Sequence, residues 1–238
     1  MAADETQMPF IRNLASSDRK LRTASLESLS TFLSSRTTLS DIDAQKLWKG
    51  LFYALWMTDR PLPQQRLASD LANLLFTLRP ACAVPWLRAF WVVVGAQWTG
   101  IDVLRLEKFL TLVRRVLASH VRLARDRGWR DGDVEAIVAL LAEYPFEAEG
   151  DLRKSPMGIR LHALDIWVDE LEREKALEQP EAETFVKAMG ELVITLKRCP
   201  IKSVRERAAE SYEDERLPWV QAGSGDEDED EEWGGIDG

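Results

Sequence analysis

An all-α fold is what this sequence predicts, from three observations. Apolar residues recur at spacings of three and four rather than two. Clusters of Pro, Gly, Ser or Asp interrupt that rhythm about every twenty residues. Some segments are also apolar on two sides at once. In residues 157–171, Met157, Leu161, Leu164, Val168 and Leu171 form one seam, while Ile159, His162 and Ile166 sit on the opposite side. A surface helix needs one apolar stripe, whereas a helix stacked between neighbours needs two.

The elements follow in order. Ser40, three residues before Asp43, resembles a capping box with a shortened acid. It opens a helix whose Leu47, Trp48, Leu51, Phe52, Leu55 and Trp56 form one wide stripe, ending near residues 59–61. Pro63 fits the first turn of the next helix, lined by Leu67, Leu71, Leu74, Leu75 and Leu78 and stopped by Arg79 and Pro80. Pro85 is expected to start a third, with Trp86, Leu87, Phe90, Trp91 and Val94. Asp102 is the expected N-cap of a long helix carrying Val103, Leu106, Leu110, Val113, Leu117 and Val121, closed by Gly128. A shorter helix with Val134, Ile137, Val138 and Leu141 ends at Pro145, and residues 146–154 read as a polar connection. Ser155 and Pro156 fit the N-cap and first turn of a helix reaching about Leu177. Pro180 precedes a helix bearing Phe185, Val186, Met189, Leu192, Val193 and Leu196, and a last one spans about 201–215.

Neighbouring helices paired as hairpins begin near Ser17, Pro63, Asp102 and Ser155, at separations of 46, 39 and 53 residues. These scatter around the two-helix period of HEAT and armadillo repeats. The expected architecture is a right-handed solenoid of antiparallel helix pairs over residues 1–216. An acidic, disordered or extended tail is expected over 217–238.

Composition narrows the function. With 45% of 238 residues apolar and 30% charged, the chain is expected to be neither a disordered polyampholyte nor a membrane protein. Cys82 and Cys199 cannot build a disulfide framework, and with only His120 and His162 beside them a structural zinc site is not expected. No secretory signal stands at the amino terminus, so an intracellular setting is expected. The net charge of −9 belongs to the end of the chain: residues 213–238 hold eleven acids and one base, which leaves +1 for residues 1–212. The low isoelectric point therefore says nothing against an anionic partner for the folded body.

Three stretches carry a family resemblance. Leu47-Trp48-Lys49-Gly50-Leu51-Phe52-Tyr53-Ala54-Leu55-Trp56-Met57-Thr58-Asp59-Arg60-Pro61 resembles the amino-terminal hallmark of the ribosomal RNA processing protein 1 family. Gly100-Ile101-Asp102-Val103-Leu104-Arg105-Leu106-Glu107-Lys108-Phe109, followed by Arg114 and Arg115, resembles its central motif. Gly158-Ile159-Arg160-Leu161-His162-Ala163-Leu164-Asp165-Ile166-Trp167 resembles its third. Their order agrees as well, so the resemblance covers roughly residues 8–212. It implies a HEAT-like nucleolar assembly factor of the large ribosomal subunit. Such a factor is needed for pre-ribosomal RNA processing without cleaving RNA, and works as a monomer within a large assembly of other assembly factors and pre-ribosomal RNA. It implies no cofactor and no membrane. Family members carry a long basic carboxy-terminal extension, where this sequence has an acidic run.

Two candidate sites follow. A helical step places Lys108, Arg115 and Arg122 in one line, opposite Leu106, Leu110, Val113 and Leu117, and residues 101–130 carry eight bases against three acids. Taken alone this is the solvated back of a helix. With the resemblance it becomes a surface for ribosomal RNA phosphate or an acidic factor, flanked by Arg105, Arg114 and Arg125. The second candidate is the minor stripe of Ile159, His162 and Ile166, which either stacks on the next repeat or docks a partner. Trp219 is a further candidate anchor that could equally seal the last helix. Trp48, Trp56, Trp86, Trp91 and Trp167 fall among apolar neighbours and are expected in the core, whereas Trp98, Trp129, Trp219 and Trp233 are freer to meet a partner. His162 and Asp165 could face each other but lack a nucleophile, and no phosphate-binding glycine loop is present. No enzyme chemistry is expected. The competing classes are a HEAT-like nucleic-acid glycosylase, which needs a pocket for a flipped base, and a general cytosolic interaction scaffold.

Overall fold

The computed structural model describes residues 11, 13–14 and 16–224, with side chains to residue 222. Trp233 and the acidic run over 226–232 lie outside the described residues. The described residues form helices and turns, with no strand among them. The α-helices are α1 (Arg19–Ser34), α2 (Asp41–Trp56), α3 (Pro61–Asn73), α4 (Pro80–Gln97), α5 (Val103–Asp126), α6 (Asp131–Glu143), α7 (Met157–Arg173), α8 (Glu183–Leu196), α9 (Lys202–Tyr212) and α10 (Pro218–Ser224).

Local chemistry sets most boundaries. Ser40 caps α2 as expected: its hydroxyl oxygen accepts from the Asp43 amide at 3.1 Å while its proton goes to the Asp43 carboxylate at 2.8 Å. Behind α5, Gly128 (φ +70) and Trp129 (φ 54) turn the chain left-handed, and the Trp129 amide returns to the Ala124 carbonyl at 2.9 Å.

Several boundaries differ from the expectation. Pro80 rather than Pro85 opens α4, and Pro85 lies inside it. Pro at the first position leaves unmade only an amide bond that a helix start lacks anyway. The bond that Pro85 forfeits is outweighed by burial of Cys82, Ala83, Trp86 and Leu87 around it. Asp102 has N-cap backbone geometry, but its carboxylate pairs with Arg105 instead of capping α5. Ser155 does not cap α7; Pro156 holds that position, and the Ser155 hydroxyl is buried without a hydrogen bond. Lys175 adopts a left-handed conformation (φ 60), which ends α7 at Arg173, short of Leu177.

The carboxy-terminal expectation also shifts. Leu217, the first residue of the expected tail, is fully buried. Trp219 stacks on Tyr212 at 4.9 Å and lies over Trp167 at 6.4 Å, with its indole N–H donating to the Tyr212 carbonyl. It rests directly on Gly190, where an added Cβ would meet the ring at 2.6 Å. The body therefore continues through these residues, with Trp219 closing the end over α8 and α9.

Packing joins alternate helices. α2 lies beside α4, α4 beside α6 and α6 beside α8; α3 lies beside α5, α5 beside α7 and α7 beside α9. Two rows result, facing each other through pairs such as α2 with α3 and α5 with α6. Between them runs one core. Trp48 meets Trp86 at 4.8 Å and Phe90 at 4.9 Å, and Phe52 stacks on Phe109 at 4.4 Å. The Trp48 indole donates to the Trp86 carbonyl at 2.9 Å, which satisfies its polar atom inside the core. Trp98 and Trp129, expected to be freer, are buried as well. Their positions at helix ends fall inside the stack because another helix covers each end.

His120 occupies the centre of this core. One ring nitrogen, Nδ1, is 2.8 Å from the Val116 carbonyl, an acceptor, so it carries the proton. The other, Nε2, is 3.3 Å from the Trp91 indole N–H, a donor, so it must offer a lone pair. The ring is locked neutral. Burial pushes its pKa from 6.5 down to about 4, against a smaller opposite pull from the Val116 carbonyl. A depressed histidine pKa means that the unfolded chain binds the extra proton first. Stability is therefore retained above about pH 6.5 and lost as pH falls toward 4. The expected loss is about 3 kcal/mol. Urea unfolding at pH 7 and pH 4 should show this excess loss in the parent chain and not in His120→Gln, which keeps a donor and an acceptor but does not titrate. Equal losses would remove His120 from the account.

Candidate functional site

α5 is an inner helix of its row, with α3 on one side and α7 on the other. It is buried over most of its circumference: Phe109, Leu112, Val113 and Ala124 are fully enclosed, whereas Leu106 and Leu110 of the expected core stripe are only partly covered. The line opposite that stripe therefore does not face open solvent along its length.

Lys108 shows this most clearly. It is 5% exposed, and its ammonium donates to the carbonyls of Trp56 at 2.7 Å and Thr58 at 2.9 Å, with the Asp59 carboxylate at 4.0 Å. A cation at the last carbonyls of α2 satisfies their unpaired acceptors and opposes the negative end of the helix dipole. Burial lowers its pKa, with Asp59 pulling the other way. Lys108 is thus a clasp between α5 and the end of α2 rather than a surface charge, which corrects its place in the expected stripe.

The other cations are divided among different tasks. Arg105 pairs with Asp102 and lies over the Trp56 ring at 5.1 Å. Arg114 crosses to α7, reaching Asp169 at 2.8 Å and the fully buried Glu170 at 2.5 Å. Burial raises the Glu170 pKa and Arg114 counters it. Arg125 pairs with Glu174 at 2.7 Å. Arg122 lies over Phe76 at 3.6 Å and donates to the Asn73 side-chain oxygen at 2.8 Å. Arg115 Nε is buried with no hydrogen-bond partner among the described residues, a condition that Arg105 Nε shares, and its charge acts on the buried Glu170. Arg207 pairs with Asp165, while Arg216 bridges Asp169, Glu172 and Asp214. The acidic side of α7 is therefore bound from both flanks by arginines.

Between α3, α5 and the end of α7 lies a half-open cavity of about 180 Å³. Arg115 and Arg122 come to it from α5 and Arg173 from α7, with Asn73 and Ser69 from α3. Glu174 is the acid on its lining and is already paired with Arg125. Arg173 was not among the expected residues; nothing in its local sequence separates it from the other charges of its helix.

The second candidate stripe resolves differently. Ile159 is 2% exposed and Ile166 3%, so both are inside the stack. His162 Nε2 lies 3.0 Å from the Leu110 carbonyl, which makes the ring a tie between α7 and α5; burial lowers its pKa. His162 and Asp165 are not hydrogen-bonded as a pair, since Asp165 is held by Arg207.

The loop expected to be a polar connection hides a buried charge pair. Arg160 is fully buried and donates to the Ser155 and Asp151 carbonyls at 2.9 and 3.1 Å, and to both the carbonyl and the carboxylate of Glu147. The Glu147 carboxylate also accepts from the amides of Glu149 and Asp151. Burial would raise the Glu147 pKa, but these donors, Arg160 first, bring it below the usual value. Among the described residues no group of three His, Cys, Asp or Glu could hold a metal ion, and no helix is long and apolar enough to cross a membrane.

Comparison with known proteins adds a second line of evidence. The family model described as nucleolar protein Nop52 matches residues 5–236. The chain is 32% identical to human ribosomal RNA processing protein 1 homolog B over 178 residues, covering 72% of this chain and 23% of that protein. It is 31% identical to mouse ribosomal RNA processing protein 1 homolog A, covering 72% of the chain and 35% of the relative. Against the Drosophila melanogaster ribosomal RNA processing protein 1 homolog it is 30% identical over 69% of the chain and 24% of the relative. The matched region thus spans between 23% and 35% of the length of these relatives.

Proposed function

The chain belongs to the family of the nucleolar protein Nop52, and from that membership we propose that it is a non-catalytic scaffold of nucleolar large-subunit precursors, needed for pre-ribosomal RNA processing. The nucleolus is its place. The two rows of helices read as a HEAT- or armadillo-like right-handed solenoid, a form that offers extended surface for docking. Its partners are other large-subunit assembly factors and pre-ribosomal RNA, met as a monomer within the assembly.

The carrying observation is the family match over almost the whole chain. The side-chain chemistry supports the non-catalytic part. His120 and His162 each have a ring nitrogen within hydrogen-bond distance of a backbone carbonyl, and Cys82 and Cys199 are buried and free. Groups enclosed in this way serve the fold rather than meet a substrate.

Crosslinking in cells, with bound RNA sequenced and protein neighbours read by mass spectrometry, tests this reading. The expected result is enrichment of pre-ribosomal RNA together with large-subunit assembly factors. A chain found only in the cytosol, with no crosslink to pre-ribosomal RNA, would reject it, as would base release from damaged duplex DNA.

A further inference from the structure

We propose that the cavity between α3, α5 and the end of α7 seats a backbone phosphate of RNA, held by Arg115, Arg122 and Arg173, with the neighbouring ribose hydroxyl against Ser69 and Ser119. This rests on the reading that the chain works on pre-ribosomal RNA, and it names where contact is made.

Three arginines line one half-open cavity; the acid on its lining, Glu174, is engaged by Arg125 at 2.7 Å, and the buried Glu170 near Arg115 and Arg173 is already held by Arg114. The local field there favours an anion. Arg115 brings the sharper observation: its Nε is buried without a hydrogen-bond partner. A donor in that condition costs free energy until an acceptor arrives. A carboxylate is satisfied by one bidentate arginine, whereas three arginines lining one cavity suit an anion offering acceptors in several directions, which is the geometry of a phosphate.

The hydroxyls in the cavity choose the class of phosphate. Ser69 Oγ donates to the Gln65 carbonyl at 3.1 Å, and Ser119 Oγ donates to the Arg115 carbonyl at 2.8 Å. Both protons are used within their helices, so each oxygen presents only lone pairs to the cavity. A ligand that places a hydroxyl donor beside its phosphate fits such acceptors. The ribose 2′-hydroxyl does so, while deoxyribose does not. Asn73 adds the complement: its carbonyl oxygen serves Arg122, which leaves its amide protons as donors at the cavity wall. Arg122 over Phe76 contributes a guanidinium already fixed in position.

The test measures binding of the full chain to a labelled single-stranded RNA of mixed sequence, and to DNA of the same sequence, by fluorescence anisotropy across a salt series. Arg115→Gln/Arg173→Gln is the variant, since Arg115 Nε has no partner to lose and the buried Glu170, which pairs with the exposed Arg173, keeps Arg114. Arg153→Gln, in the loop before α7, is the control. Thermal unfolding of each chain confirms that the fold is kept. The proposal expects RNA to bind more tightly than DNA. It also expects the double variant to weaken RNA binding about tenfold and to flatten the logarithmic salt slope by about 1.4, for two lost phosphate contacts on a single strand. The control should match the parent.

No RNA binding by the parent chain, unchanged affinity and slope in the double variant, or equal binding of RNA and DNA would each overturn it. A phosphoserine peptide that outcompetes RNA for the cavity would overturn it too, by assigning the site to a protein partner. Failure of the scaffold reading is seen separately: a chain absent from nucleolar precursor particles defeats that reading whatever the anisotropy shows.

Discussion

Arg160→Met is expected to lower the unfolding free energy by about 3–5 kcal/mol, because it leaves the Glu147 charge buried without its partner. In a body of this size that corresponds to a fall in melting temperature on the order of 10 °C. The cause lies in how many groups one guanidinium satisfies. Arg160 is fully buried and ties the carbonyls of Glu147, Asp151 and Ser155 and the Glu147 carboxylate, which is most of the connection between α6 and α7. Once it is removed, those acceptors face an apolar side chain that offers no donor. Arg160→Met/Glu147→Leu should recover much of the loss, since removing both charges also removes the desolvation penalty. The comparison is made by urea unfolding of the two variants beside the parent. A single variant within 1 kcal/mol of the parent would show that the loop is held by something other than this pair.

Ile166→Asp should have an effect at least as large, leaving little folded chain at 37 °C. Ile166 is 3% exposed and sits on α7, between row neighbours α5 and α9. The substitution loses about 2 kcal/mol of apolar burial. It also places a carboxylate where α7 already carries Asp165, Asp169 and Glu170 nearby. Burying an unpaired charge adds several kcal/mol more. Ile166→Val, which removes one methylene, should cost only about 0.5–1.5 kcal/mol. Circular dichroism melts of both variants, made before any binding experiment, settle the matter. A well-folded Ile166→Asp monomer that failed to enter the precursor particle would instead return Ile166 to a docking surface. The buried position also means that loss of particle association in this variant would by itself carry no information about partners.

Much of the body was legible in the sequence. The recurrence of Trp48, Leu51, Phe52 and Leu55 marks one buried face of α2, and it is buried; the two-sided pattern over residues 157–171 is buried at Ile159, Leu164, Ile166, Val168 and Leu171, while Leu161 and His162 are half-buried and Met157 is exposed. Those patterns are local, since a residue three or four places along lies on the same side of its helix whatever the rest of the chain does. The candidate cationic line was legible only as a line. Lys108, Arg115 and Arg122 share a direction on α5, but one clasps the end of α2, one stands over Phe76 and one keeps an unpartnered Nε. Sequence spacing treats the three as equivalent. The elements supplying their surroundings begin far away along the chain, at α2 and α3.

The sequence by itself determined that this chain is helical, where most of its helices lie, and which family it resembles. All three rest on residue order over short distances. Only the tertiary structure decided which charges are clasps and which remain to be satisfied, and that Leu217 and Trp219 belong to the body rather than to a tail. Charge partnership and burial are fixed by groups brought together across tens of residues. Arg114 finds Glu170, Arg160 finds Glu147 and Trp219 finds Gly190 because helices stack, and no periodicity within one helix encodes what the next one presents to it.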